Sequence, residues 1–145
     1  MASTEDEVRA AAERFYAAIE AMVSGKGLEP MREAWHHTDR VTGGHPSGDW
    51  AQGWDEIYAT WEVFSSFGHP TRGGSKIRDL KAYHYGGDIA YTTCVFIASP
   101  AFGGESLACT NVLHRKDGVW KVVHHHADKS PKMAAALEKI AQENG

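Results

Sequence analysis

Three consecutive histidines, His124, His125 and His126, stand near the end of this chain. Imidazole is suited both to proton transfer at neutral pH and to metal ligation. On a β-strand alternate residues share a face, so His124 and His126 point one way and His125 the other. His114, on a strand predicted to pair with this one, is a candidate third donor, and three imidazoles can hold zinc with a fourth position open. Such a set has no carboxylate anchor. No metal is expected, and strand-pair and interface roles would account for these three histidines if their face is the outer one. His125 stands alone on its face beside Asn111 and Tyr91. It reads either as a ligand contact or proton relay, or as a buried histidine with its hydrogen bonds satisfied.

A second candidate set is Tyr16, His45 and Asp49. His45 lies in Gly44-His45-Pro46-Ser47-Gly48. An imidazole with an unperturbed pKa of about 6.5 is a competent general base at neutral pH, although these residue types equally make an ordinary loop. In His36-His37-Thr38-Asp39, Asp39 could accept from an imidazole, and a histidine after a helix can also satisfy its last carbonyls. Trp35, Trp50, Trp54 and Trp61 could wall a cavity, because indole pairs an apolar body with one N–H donor. Core packing is the expected role of Trp54 and Trp61. Cys94 and Cys109 read as small buried hydrophobes in a reducing compartment. The sequence carries no nucleophile elbow, phosphate loop or Cys-x-x-Cys.

The elements that must position these residues are legible from periodicity. Thr4 and Glu7 make a capping-box pattern. Val8, Ala12, Phe15, Ile19 and Met22 or Val23 then recur at helical spacing until Gly25-Lys26-Gly27 stops the helix near Ser24. A short helix is predicted from residue 29 or 30 to 35. Residues 36–48 read as loop with a short strand at Val41 and Thr42, broken by Gly43-Gly44 and Pro46-Ser47-Gly48. A third helical region spans 49–67, with Trp54, Ile57, Tyr58, Trp61 and Phe64 as its stripe. Strands are predicted at 77–85, 89–98, 105–114 and 119–127, the last two joined by the Asp117-Gly118 turn. A final amphipathic helix covers 131–142, with Met133, Leu137 and Ile140 inward. Helices followed by a strongly bent antiparallel sheet make an α+β fold.

The chain's 145 residues are one domain's worth and bury roughly 70% of the unfolded surface on folding, enough for a core without staples. A hydrophobic content of 42% with 23% charged residues is ordinary for a globular protein. A net charge of -4, with no cluster of Lys and Arg, speaks against nucleic acid. No run approaches the ~18 apolar residues of a membrane span. The acidic start is not a secretory signal, and the expected location is cytoplasmic.

The order of elements resembles the nuclear transport factor 2-like superfamily, particularly its SnoaL-like branch. Thr110-x-Val112-x-His114-Arg115-x-Asp117-Gly118-x-Trp120-x-x-Val123-His124-x-His126 is similar to the end of the calcium/calmodulin-dependent protein kinase II association domain. The resemblance implies a cone: a bent sheet wrapped around the N-terminal helices, with a pocket in the wide end and homodimers formed through the outer face. Faces set by the kinase match put Tyr91, Thr93, Val95, Cys109, Asn111, Leu113, Val123, His125 and Ala127 inside. Thr110, Val112, His114, Trp120, Val122, His124 and His126 are then outside. The association domain's pocket arginines match Thr93, Asn111 and Ala127, so that carboxylate site is missing here. Ketosteroid isomerases are similar more loosely: their late-helix tyrosine matches Tyr16, and their Asp base falls at His45.

The expectation is therefore a single SnoaL-like domain, residues 1–145, binding a small hydrophobic molecule in a pocket lined by Tyr16, Trp35, Trp50, Tyr91, Thr93, Asn111 and His125. His45 lies near the entrance. Any chemistry would be proton transfer next to a carbonyl, by an isomerase, cyclase or dehydratase needing no cofactor, with His45 or His125 as base and Tyr16 as donor. The alternative is a non-catalytic association domain working through the sheet's outer face.

Overall fold

In the computed structural model, which describes residues 2–46 and 48–144, helix α1 (Thr4–Val23) buries Val8, Ala12, Phe15, Ile19 and Met22 along one face, as their spacing demands. Its cap lies one residue earlier than the sequence pattern predicts. Ser3 takes the extended backbone of a cap and accepts from the Asp6 N–H at 3.1 Å, while Asp6 Oδ2 accepts from the Ser3 N–H at 3.1 Å. Thr4 is already helical, so its hydroxyl cannot serve that position. Helix α2 (Glu29–Ala34) follows, with Pro30 in its first turn.

Strands β1 (Thr42–Gly44) and β2 (Trp50–Gln52) precede helix α3 (Trp54–Ser66). Here the structure corrects two expectations. The glycines predicted to break β1 are inside it, and the start of the predicted third helix is a strand. A Cβ on Gly43 would sit 2.9 Å from Ile57 Cδ1, and one on Gly44 would sit 2.9 Å from His126 Cδ2 and 3.1 Å from the Trp50 ring. Glycine is in this strand because the neighbouring side chains leave no room, not to make a turn. Ser47, part of the predicted break, lies outside the described residues.

Strands β3 (Lys76–His84), β4 (Ile89–Ile97), β5 (Ser106–Lys116) and β6 (Val119–Ala127) complete a six-stranded sheet in the order β2-β1-β6-β5-β4-β3. All neighbours are antiparallel except β1 and β6, which run parallel and set Gly43 opposite His125. Helix α4 (Pro131–Asn144) buries Met133 and Ile140, with Leu137 packed against the core.

Register decides the faces. Directly opposed residues of an antiparallel pair share a face, and Thr92 opposes Asn111 while Cys94 opposes Cys109. The inner residues of β4 are therefore Ala90, Thr92, Cys94 and Phe96, all buried, and Tyr91, Thr93 and Val95 lie on the outer face. This reverses the predicted assignment for that strand. On β6 the error is local: pairing slips between Val112 opposite His124 and Leu113 opposite Val122, leaving Val123 as the extra residue of a bulge. Before the bulge Trp120 and Val122 face inward, 3% and 0% exposed; after it His125 and Ala127 do.

Candidate functional site

The inner surface of the sheet, α1 and α3 enclose a cavity of ≈ 50 Å³ lined by Tyr16, His45, Trp61, Phe64, Cys109 and His125, with apolar residues around them. No Asp, Glu, Lys or Arg lines it among the described residues. A site that holds a buried water needs about 10–15 Å³, so this one accommodates a few waters or a compact organic group in its present shape.

Three elements deliver the polar groups. The turn of α1 that inserts Phe15 into the core also brings in Tyr16, and both rings meet His125, at centroid distances of 4.7 and 6.3 Å. β5 supplies Asn111, fully buried, which joins helix to sheet. Its Nδ2 donates to the Tyr16 hydroxyl at 2.8 Å and to Thr92 Oγ1 at 3.3 Å, and its Oδ1 lies 2.7 Å from His125 Nδ1. With the amide in this assigned orientation, Oδ1 can only accept, so His125 carries its proton on Nδ1 and presents Nε2 as a lone pair.

His45 follows the end of β1. Its Nε2 lies 2.8 Å from the Thr60 hydroxyl, which itself donates to the Ile57 carbonyl at 2.6 Å. Thr60 thus spends its proton within α3 and accepts from His45 Nε2–H, leaving Nδ1 as the basic nitrogen. The His45 ring stands edge-on to Trp61 at 4.5 Å and lies 6.4 Å from His125.

Burial fixes the charge states. Desolvation lowers the His45 pKa to about 4. His125 is held well below the ordinary histidine value, first by burial and then by the neighbouring His45, His124 and His126. Burial raises Tyr16, as do the adjacent thiols, so its hydroxyl stays protonated. The cavity wall at neutral pH is therefore two neutral imidazoles, a neutral phenol and indole. Among the described residues Trp61 Nε1 is buried with no hydrogen-bond partner, a state that costs about 1–3 kcal/mol.

Of the residues singled out from sequence, His45, His125 and Tyr16 come together on this cavity, with Asn111 just behind them. Four do not. Trp35 is 1% exposed and packs in the core, its Nε1 donating to Met31 Sδ at 3.3 Å. Trp50, on edge strand β2, is 62% exposed and lies over His126 and His124. Tyr91 and Thr93 are on the outer face, where Tyr91 stacks between Tyr83 and Tyr85. Asp49 is exposed. Sequence reasoning missed Thr60 and Thr92. Thr60 stands one turn from Ile57 on the buried stripe of α3, which was a usable signal.

The other histidines are placed structurally. His124 Nδ1 lies 2.6 Å from Thr42 Oγ1. His114 opposes Lys121 rather than His124, and its ring meets His36. His37 Nε2 reaches the Arg32 carbonyl at 2.7 Å, as a residue closing a helix end does. Among the described residues no group of three or more His, Cys, Asp or Glu is placed to hold a metal ion.

A curved sheet wrapped on helices, with an uncharged cavity between them, defines a cone-shaped α+β protein of nuclear transport factor 2-like fold. The SnoaL-like domain model matches residues 8–130, and the chain belongs to that family. Among solved structures, a Thiobacillus denitrificans protein assigned as a calcium/calmodulin-dependent protein kinase type II association domain is 27% identical, with TM-score 0.63 over 83% of this chain and 93% of that one. A Streptomyces avermitilis protein of the nuclear transport factor 2-like family, assigned as a dehydratase, is 22% identical, with TM-score 0.67 over 87% and 95%. A Parabacteroides distasonis protein assigned as a ketosteroid isomerase is 15% identical, with TM-score 0.62 over 89% of each chain. The last two likenesses carry the fold alone. No curated protein matches the sequence.

Proposed function

We propose that the cavity binds a small, uncharged, largely apolar molecule bearing a carbonyl oxygen, and that the protein moves a proton next to that carbonyl. The observation that carries this reading is the pairing of two neutral imidazoles, each with a free ring nitrogen, on a cavity wall without charge. In this reading His45 Nδ1 or His125 Nε2 takes the proton. The protonated Tyr16 hydroxyl and the unpartnered Trp61 N–H are the donors available to oxygen as negative charge develops there. The step relocates a proton and an electron pair within one molecule, or in a dehydration expels a hydroxyl that leaves with the proton as water, so it calls on no redox partner. Its class is isomerase, cyclase or dehydratase. Acidic ligands are disfavoured, because among the described residues no Lys or Arg faces the cavity to replace lost solvation.

The test is thermal unfolding against a panel of compact neutral ketones, with matched carboxylates. A ligand at 100 times its Kd adds about 2.7 kcal/mol of stability, so neutral members should raise Tm and carboxylates should not. A panel in which only the acids bind, or in which nothing binds, overturns the reading. His45→Ala and His125→Ala should each lower any turnover found; undiminished turnover in both removes the proposed bases.

A second reading, self-association through the outer face, is favoured by a specific surface. Tyr83, Tyr91 and Tyr85 stack along that face, Tyr85 is 84% exposed, and Ile89 and Val119 are about half exposed. Exposed apolar clusters of this kind mark association sites. This surface and the cavity are on opposite sides of one sheet, so the two readings are compatible.

A further inference from the structure

We propose that Cys94 and Cys109 form a reversible modification site, closing to a cross-strand disulfide when a peroxide reaches the cavity. Both cysteines are free, both are buried, and they are directly opposed on β4 and β5. The ladder's own hydrogen bonds fix the kind of pair they make. Arg115 N–H donates to Asp88 O at 2.8 Å and Ala98 N–H to Glu105 O at 3.1 Å, so both of these opposed pairs are of the hydrogen-bonded type. Such pairs recur at every second position. Counting in twos from either end of the unbroken register arrives at Cys94 and Cys109.

A hydrogen-bonded antiparallel pair holds its Cα atoms about 5.5 Å apart. That lies inside the roughly 4.4–6.8 Å range that disulfides occupy. Both side chains are on the inner face and buried. The Cβ atoms of a hydrogen-bonded pair stand at the wide end of about 4.5–5.5 Å, beyond the roughly 3.5–4.5 Å of a relaxed disulfide, so closure draws the two strands together locally and makes a readily reduced bond. Cys109 also lines the cavity, so an uncharged oxidant small enough to enter it meets a thiol otherwise shielded from solvent.

The step balances as follows. One thiolate sulfur attacks a peroxide oxygen; the O–O bond breaks, a sulfenic acid forms, and the leaving hydroxide takes a proton to become water. The second thiol's sulfur displaces the sulfenic hydroxyl, which leaves as a second water, and the S–S bond forms. Two thiols are oxidised by two electrons in total, and one peroxide is reduced to two waters. Dithiols reverse the reaction by exchange. Because Cys109 and Tyr16 line the same cavity, closure would alter the surroundings of the Tyr16–Asn111–His125 chain.

The test uses the native full-length protein exposed to hydrogen peroxide or diamide, alkylated after denaturation and weighed intact. The expected result is a loss of two hydrogens and of both alkylatable thiols, with full recovery in dithiothreitol. Trypsin leaves both cysteines on one peptide, since no Lys or Arg lies between Lys81 and Arg115. Cleavage after Glu105 should instead give two fragments that stay joined until reduced. Cys94→Ser and Cys109→Ser should each abolish the intramolecular bond. Retention of both thiols, addition of oxygen without loss of hydrogen, or fragments that separate without reductant would overturn the proposal.

Discussion

His45 is the residue whose environment has the clearest measurable consequence. Its pKa falls from the ordinary 6.5 to about 4 in the folded protein because burial disfavours the cation. The unfolded chain therefore binds a proton between these values that the folded chain refuses, and stability drops as pH falls through that window. The group's contribution is fully present above pH 6.5, and its loss by pH 4 is on the order of 3 kcal/mol. Urea unfolding at pH 7 and pH 5 should show this decline, and His45→Gln should flatten part of it; an equal decline in the variant would exclude His45 as the source. If His45 is the base of the proposed step, turnover should persist down to about pH 4 rather than fail near pH 6, as a pH–rate profile would show. His45, His125 and Tyr16 were legible as candidates because polar residues of these types stand out against an apolar pattern. Tyr91 and Thr93 misled because a strand's alternation shows two faces without saying which is inner. Only the pairing of Thr92 with Asn111 decides it.

At the scale of elements, the helices and the four long strands could be read from spacing, and the short pair β1 and β2 could not. Three residues hold too little alternation to announce a strand, and Gly43-Gly44 carries the chemical signature of a turn. Their place is set by contact: Gly44 lies under Trp50 and His126, both rigid rings. Gly44→Ala should cost about 1–3 kcal/mol, as overpacking does, measurable by chemical denaturation. A neutral result would mean that Trp50 moves aside freely. Asn111 ties α1 to the sheet by satisfying Tyr16, Thr92 and His125 together. Asn111→Leu should destabilise by about 1–3 kcal/mol by leaving buried polar groups unpaired, and it should also unlock the His125 tautomer. The bulge at Val123 was invisible for a related reason: one extra residue changes no composition, yet it exchanges the faces of everything beyond it.

For the whole molecule, the cone was foreseeable from the order of elements, while the cavity's size was not, since it depends on how the side chains of α1, α3 and the sheet interlock. The outer face carries the prediction proper to this scale. Light scattering at micromolar concentration should give twice the chain mass, and Tyr91→Asp, which sets a charge amid the stacked tyrosines, should shift the population to monomer with its fold intact by circular dichroism. A wild-type protein that weighs a single chain at all concentrations would leave the tyrosine face without that role.

The parallel pairing of β1 with β6 has a consequence in time rather than in space. Thr42 and His124 bond across 82 positions of chain, and the same pairing is what brings His45 within a ring's width of His125. Contacts so distant in sequence carry a loop-closure penalty and are associated with slow folding. On a ribosome, a chain that has not yet extruded β6 holds one of the two imidazoles and no wall opposite it. The two imidazoles can meet only after β6 has emerged and paired with β1.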